Sequence, residues 1–167
     1  MQKREVLCSE LTLYYSELFG STFTKHRKLR YEAVVGIGGN IGNVKTRFKH
    51  LLFKMKRDRQ IELLQTSPIL KNPPFGFVEQ GDFYNGVIKI STSMQPLALL
   101  DYLLRLERQF GRRRSFANAP RTLDLDLIFF EKVKMKHKKL ILPHPAWSDR
   151  ESVVIPLSFI NYKRGQK

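Results

Sequence analysis

Cysteine is almost missing from this chain, where Cys8 stands alone. No intrachain disulfide can form, and one thiolate cannot build a zinc site. Long apolar runs are missing too. No stretch of about 18 uninterrupted apolar residues occurs, so no transmembrane helix and no membrane partner are expected. Near the start, Lys3 and Arg4 are followed by Glu5 and Glu10, which interrupt anything like a signal-peptide core. These absences point to a reducing, cytoplasmic setting. Acidic residues are scarce, 15 against 30 Lys and Arg, for a net charge of +15. Such an excess suits nucleic acid or an anionic small substrate such as a nucleotide. The cations are scattered, however, through 45–59, at Arg112, Arg113 and Arg114, and through 132–139. A diffuse positive surface is ordinarily just solvated, so charge alone does not choose. The standard phosphate-loop fingerprints are absent as well. Gly36, Gly38 and Gly42 are spaced G-x-G-x-x-x-G, and no G-x-x-x-x-G-K-[ST] occurs. That run reads as a tight turn after a strand.

What is present is enough for one folded domain: 167 residues, 42% of them apolar, with 12 Phe. Leu7, Leu11, Tyr14, Tyr15 and Leu18 show helical spacing over 2–19, with Gly20 as the stop. Residues 21–30 are polar and basic and read as a linker. The division expected is a helical arm and linker over 1–30, a domain over 31–162 and a tail over 163–167. The stripe of the arm must be buried, either on its own domain or on a second copy, with a monomer favoured. The spacing predicts strands over 31–37, 61–69, 82–92 and 122–131. It predicts helices after Asn43, with Val44, Phe48, Leu51, Leu52 and Met55 on one face, and over 95–110, with Leu97, Leu100, Leu103 and Leu104 as the apolar side. Loops fall at 71–81 and 111–120, and a charged hairpin over 132–142 ends at Pro143-His144-Pro145. Mixed strands and helices without a repeat make this an α/β (α+β) sandwich, a mainly antiparallel sheet with helices on its faces.

The sharpest chemical signal is Asp124-Leu125-Asp126. Residues two apart on a strand share a face. Leu123, Leu125 and Leu127 then enter the core, while Asp124 and Asp126 project together on the other side. Two such carboxylates repel unless a cation lies between them. Hard oxygen ligands suit Mg²⁺, which takes one or two carboxylates plus substrate phosphates. A generic D-x-D is more often a solvated strand face. Here Arg121 stands just before the strand and Arg112, Arg113 and Arg114 just before that, so cations for a polyphosphate converge on the same place. His144 is held in a rigid turn between prolines. Phe83 and Asn85 share one strand face, where a ring and an amide can stack on and hydrogen-bond to a flat heterocycle. An edge aromatic and a turn amide fit the same pattern, and the same holds for Phe75, Phe77, Phe116 and Trp147.

In order, Gly36-Ile-Gly-Gly-Asn40, Asn72-Pro-Pro-Phe-Gly76, Gln80-Gly-Asp-Phe-Tyr-Asn85, Glu107 with Gly111-Arg112, Pro120-Arg-Thr-Leu-Asp-Leu-Asp126 and Pro143-His-Pro145 resemble the 6-hydroxymethyl-7,8-dihydropterin pyrophosphokinase family over about 31–160. The resemblance implies a ferredoxin-like fold. It also implies transfer of pyrophosphate from ATP to the hydroxymethyl group of the pterin in folate biosynthesis, with release of AMP. It implies that Asp124 and Asp126 hold two Mg²⁺ ions and that Arg112 and Arg121 handle phosphates as catalytic residues. Glu107, His144, Lys139 and Arg150 join Arg112 and Arg121 on the ATP side. Asn72, Pro73, Pro74, Phe75, Phe83 and Asn85 form the pterin side. The loops 71–81 and 112–120 should close over both substrates.

This chain departs from the family pattern in places. Gly39 stands where a serine is usual and Asn72 where a threonine is usual. The second loop is one residue short and its common tryptophan aligns with Asn118, with Phe116 the candidate replacement. The aromatic usual on the other pterin face falls near Ser152, with Trp147 the candidate replacement. Two rivals explain less. A nucleic-acid module leaves two carboxylates on a phosphate-binding face. A two-metal nuclease or phosphatase leaves the aromatic chemistry around Phe83 without a purpose. No nucleic-acid partner is expected.

Overall fold

The computed structural model describes residues 2–162; the tail expected over 163–167 lies outside them. The chain forms β1 (Lys3–Val6), β2 (Thr12–Tyr15), β3 (Tyr31–Gly39), α1 (Val44–Arg57), β4 (Ile61–Thr66), β5 (Ile69–Asn72), β6 (Phe83–Thr92), α2 (Pro96–Gln109), β7 (Asp124–Phe130), β8 (Met135–His137), β9 (Leu140–Leu142) and α3 (Glu151–Leu157). One sheet runs β1-β2-β5-β6-β3-β7, with β4 also on β6, and all its pairs are antiparallel. The strands β4 and β5 lie end to end along one edge of β6: Ile61 to Thr66 pair with its far half, and Leu70 to Asn72 with Asn85 to Phe83. With β4 and β5 counted as one broken edge strand, the order from β3 to β7 is strand, helix, strand, strand, helix, strand, which is the ferredoxin-like arrangement.

The two helices cover one face of this sheet. Asn43 caps α1 by accepting from the Thr46 N–H, and the α1 residues expected to face the core are all buried in the main cluster. On α2 the buried stripe is Leu99, Tyr102, Leu103 and Leu106. Leu97 and Leu100 only pack at its margin, so the expected apolar side was rotated by part of a turn. A run this rich in leucine is apolar nearly all round, and only the position of the sheet selects its inner face. Leu123, Leu125 and Leu127 enter the core as alternation requires. Ile128 follows Asp124 and Asp126 onto the opposite face, and a register shift between Val34 and Val35 turns Phe129 there as well, where the two join Val34, Val87, Leu157 and Ile160 beneath α3.

The expected helix over 2–19 is instead a β-hairpin. Helical spacing was present, but an isolated helix of this length is marginal and tertiary pairing decides its fate. Residues 12–15, a threonine, a leucine and two tyrosines, suit a pleated surface, and the free edge of β5 offers them a ladder. Leu13, outside the supposed helical stripe, pairs with Leu70 and is fully buried, whereas Leu7 is exposed. Tyr14 is held from above by the Lys45 ammonium, 4.0 Å from its ring centroid. The following segment is not a free linker either. Phe23 donates to Leu64 O, and the Glu62 carboxylate accepts the backbone N–H groups of His26 and Arg27, which holds its pKa down against the effect of burial. The extension is thus an added edge of the domain's own sheet. Leu13→Ala should lower the unfolding free energy by about 2–5 kcal/mol in a denaturant titration; a change under about 0.5 kcal/mol, the size of an ordinary surface substitution, would show the hairpin to be loosely attached.

Candidate active site

The sheet face opposite α1 and α2 is covered at one end by α3 and left open at the other. Cross-strand pairing decides what stands there. Asn85, Gly38 and Asp124 lie side by side across β6, β3 and β7, and Gly36 and Asp126 are neighbours one step further along. Asn72 and Phe83 pair at the adjoining edge. The expected tight turn at 36–42 is therefore only half right. The strand continues to Gly39, and Gly36 and Gly38 are ladder residues. Their lack of a side chain is what opens the face. A Cβ on Gly38 would stand 2.6 Å from Asn85 Oδ1, so even alanine would displace the amide. At Gly39 a Cβ would meet Thr122 O at 2.6 Å, which explains why this backbone takes glycine where the family pattern has serine.

Two cavities meet on this floor. The first, of about 500 Å³, is lined by Asn72, Pro73, Pro74, Phe75, Phe83 and Asn85, all the residues expected on the pterin side. The second, of about 850 Å³, is lined by Glu107, Arg112, Arg121, Lys139, His144 and Arg150, all those expected on the ATP side. Asp124, Asp126, Arg121, Arg150 and Asn118 line both. The carboxylates thus occupy the junction, where a group passing between two ligands would have to be.

Asp124 is held by two arginines. Arg112 Nη1 donates to its Oδ1 at 3.0 Å and Arg121 Nη1 to its Oδ2 at 2.8 Å. The Asp126 carboxyl has no hydrogen bond or ion pair among the described residues. Burial first, and then the neighbouring Asp124 charge, push its carboxyl up to about 7, against the opposing pull of Arg150 and Arg121. A half-buried, unpartnered carboxyl beside a second one fits a place completed by a cation, and two hard oxygen donors match Mg²⁺. No cluster of three or more His, Cys, Asp or Glu is found among the described residues, so further ligands would be phosphate oxygens or water.

Glu107 lines the second cavity from beneath this pair. It is buried on α2, its Oε1 accepts from Leu125 N at 2.8 Å, and Arg114 approaches its Oε2 at 3.5 Å. Burial raises its pKa. The backbone it holds lies between the two aspartates, so it fixes how β7 presents them. His144 is half-buried, and burial, followed by Arg150, lowers its pKa, so it is neutral at pH 7. Its Nδ1 accepts from Ala146 N at 3.3 Å. The hydrogen is therefore on Nε2, available as a donor to the cavity that His144 lines.

On the other side, Asn85 Nδ2 donates to Asn72 Oδ1 at 2.7 Å, and the Phe83 ring carries the Arg121 guanidinium 5.2 Å from its centroid. Phe83 is therefore covered rather than exposed. The two expected replacements stand in different places. Trp147 packs edge-on against Phe129 in the cluster under α3, at 5.2 Å between centroids, and lines neither cavity. Phe116 lines the second cavity, not the first, and meets Phe77 edge-on at 5.2 Å. The first cavity instead gains Asp149, just before α3, and Glu151, Ser152 and Val153 from its start; apart from Ser152, no sequence signal singled them out, because a seven-residue helix containing Pro156 has too little periodicity to read.

Residues 34–162 match the model of the 7,8-dihydro-6-hydroxymethylpterin-pyrophosphokinase family. The chain is 39% identical over 155 residues to the 2-amino-4-hydroxy-6-hydroxymethyldihydropteridine pyrophosphokinase of Helicobacter pylori, covering 90% of this chain and 95% of that protein. It is 45% identical over 134 residues to the protein of the same name from Campylobacter jejuni, covering 80% and 85%. The Bacillus subtilis protein of that name is 31% identical over 128 residues, 77% of each chain.

Proposed function

The chain belongs to the 7,8-dihydro-6-hydroxymethylpterin-pyrophosphokinase family, and from that premise we propose how its own residues divide the reaction. The activity is transfer of a pyrophosphoryl group from ATP to the hydroxymethyl group of 6-hydroxymethyl-7,8-dihydropterin in folate biosynthesis. In our reading the pterin enters the first cavity, with its ring against Phe83 and its edge on Asn85, Asn72 and the backbone from Pro73 to Phe75. ATP enters the second, its triphosphate running toward Asp124 and Asp126. The observation that carries this assignment is the meeting of the two cavities at one pair of carboxylates flanked by Arg112, Arg121 and Arg150.

Asp124 and Asp126 would hold Mg²⁺, two ions in the family pattern, and when bound the metal neutralises phosphate charge and lowers the pKa of the attacking hydroxyl. The rest falls to the chain. The pterin oxygen must approach the β-phosphorus in line with the departing AMP, and placing two ligands end to end over one floor supplies that orientation. Arg121 and Arg112 would transfer their donors from Asp124 to phosphate oxygens, where negative charge moves during transfer. His144 Nε2–H and Lys139 would hold the nucleotide, and Glu107 would keep β7 in place. The loops over 73–81 and 112–120 stand at the rim of the two cavities and would exclude water, which would otherwise compete for ATP. Because the hairpin finds its partner in β5 of the same chain, we take the protein as a monomer. No helix among the described residues is long and apolar enough to cross a membrane, and the need for ATP and Mg²⁺ suits a cytoplasmic setting.

Purified protein with ATP, the dihydropterin and Mg²⁺ should give AMP and pterin pyrophosphate in equal amounts, and chelation should stop both. Asn85→Ala should raise KM for the pterin on the order of tenfold, one lost hydrogen bond, while leaving KM for ATP nearly unchanged. An equal rise in both would contradict the division of the cavities.

A further inference from the structure

The hairpin β1–β2 precedes the residues that match the family model, 34–162, and none of its residues lines either cavity. Its pairing nevertheless leads straight to the floor of the site. Leu13 pairs with Leu70, Leu70 with Asn85, Asn85 with Gly38 and Gly38 with Asp124. Residues directly opposite each other share a face of a sheet. These five therefore form one row, which starts with two buried leucines and ends on the carboxylate at the junction.

The link between hairpin and floor is β5, only four residues long. Pro68 stands just before it and Pro73 and Pro74 just after it, so it has little scope to lengthen. Three residue pairs join it to β6 and three more to β2, so the hairpin doubles what holds it. Asn72 ends this strand. Its Nδ2 donates to Pro73 O at 3.0 Å, and a carbonyl can only accept, which leaves its Oδ1 for Asn85 Nδ2 at 2.7 Å. Asn85 then turns its Oδ1 toward Gly38. The placing of β5 thus decides which way the Asn85 amide faces.

A second contact works from behind. Tyr14 and Tyr84 both pack on the main cluster, on the helical face, with ring centroids 6.2 Å apart. The Lys45 ammonium, from α1, stands 4.0 Å from the Tyr14 centroid and 6.0 Å from that of Tyr84. Tyr84 lies between Phe83 and Asn85, which face the cleft. Fixing its ring from behind fixes the piece of β6 that presents their ring and amide in front. Both contacts are made by the ring of Tyr14, which phenylalanine also has.

We propose that the hairpin is a positioning element for the pterin side and Tyr14 its positioning residue, holding β5 and the start of β6 so that Asn72 and Asn85 meet the pterin edge in one orientation. This rests on the assignment of pterin to the first cavity.

The test is steady-state kinetics of the full chain with Mg²⁺, varying 6-hydroxymethyl-7,8-dihydropterin at saturating ATP and ATP at saturating pterin. Tyr14→Ala should raise KM for the pterin roughly threefold to tenfold, a part of one hydrogen bond, with KM for ATP and kcat within about twofold of wild type. Tyr14→Phe keeps the ring and should stay within about twofold of wild type in every parameter. Lys45→Met removes the ammonium alone and should move the pterin KM in the same direction by a smaller factor. The readout that a merely structural role would not move is the double variant. If Tyr14 acts through the Asn72–Asn85 pair, Tyr14→Ala should change the pterin KM by less than about twofold once Asn85 is already alanine. Should Tyr14→Ala not fold, the same cycle is read with Lys45→Met. An unchanged pterin KM, a parallel rise in both KM values, or the same fold-change with and without Asn85 overturns the proposal and leaves the cavity assignment standing. A wild type whose AMP release does not depend on the pterin overturns both.

Discussion

Asp126→Asn is expected to give a protein that is more stable than the wild type at pH 8 without divalent metal, and inactive. The stability half follows from the carboxyl's surroundings. Burial and the Asp124 charge raise its folded pKa to about 7, from an ordinary value of 3.8. Between those two values the folded chain keeps a proton that the unfolded chain has lost, so stability contributed at this site falls as pH rises through the window. Above it the wild type carries a poorly compensated charge in the folded state. Asparagine has nearly the same shape and never takes on that charge. The Tm difference in favour of the variant should therefore be largest near pH 8 in the presence of a chelator and should vanish as the pH falls below the ordinary value of 3.8, where the wild-type carboxyl is protonated in both states. The activity half follows from position: Asp126 is at the junction of both cavities, and removing a charge that organises the reacting phosphates should lower turnover by at least about 10²–10³-fold. Scanning calorimetry across pH, set beside AMP release, reads both. A variant that melts lower than wild type at pH 8, or that keeps near-wild-type turnover, would remove Asp126 from the role given to it. The combination matters because loss of activity through unfolding would move both measurements the same way.

The residues in this argument were legible because strand geometry is short-ranged. A period of two places Asp124 beside Asp126 and buries Leu123, Leu125 and Leu127, and nothing distant can change that without breaking the strand. The α1 face was equally plain, since its polar residues fall on one side. What failed to read were features decided by a partner far away in sequence. The first 19 residues carried a helical spacing, but the free edge of β5, some 55 residues on, made them a hairpin. Gly36 and Gly38 resembled turn residues, and only their pairing with Asp126, Asp124 and Asn85 shows that they clear a floor. Trp147 was an isolated aromatic near the right place in the chain, yet it faces the cluster under α3.

Arg121→Ala should be the other severe variant, and its pH profile should separate it from a merely damaged protein. The backbone ties of Arg121 to Asn40 survive the substitution, because they use the main-chain N–H and carbonyl. The fold is therefore expected to hold. What is lost is a guanidinium that donates to Asp124 at 2.8 Å and to Ala119 O at 3.1 Å while lying over Phe83. One planar group does all three, so Arg121→Lys should recover only part of the activity: it keeps the charge but not the fork or the stacking. Loss of a cation placed where phosphate charge develops should cost kcat on the order of 10²–10³-fold. Arg121 is also one of the two cations that restrain the upward shift of Asp126. Without it the Asp126 pKa rises further, and a larger share of the protein has that carboxyl protonated at neutral pH. The acid limb of kcat/KM should accordingly move to higher pH in Arg121→Ala, so that the deficit against wild type narrows as the pH is raised from 7 to 9. In Arg121→Lys, which keeps a positive charge in the neighbourhood, the limb should lie between the two. Steady-state rates across pH, with AMP and pterin pyrophosphate both quantified, give the comparison. A deficit that stays constant with pH would mean that Arg121 acts on the phosphates alone and does not hold the charge state of the aspartates.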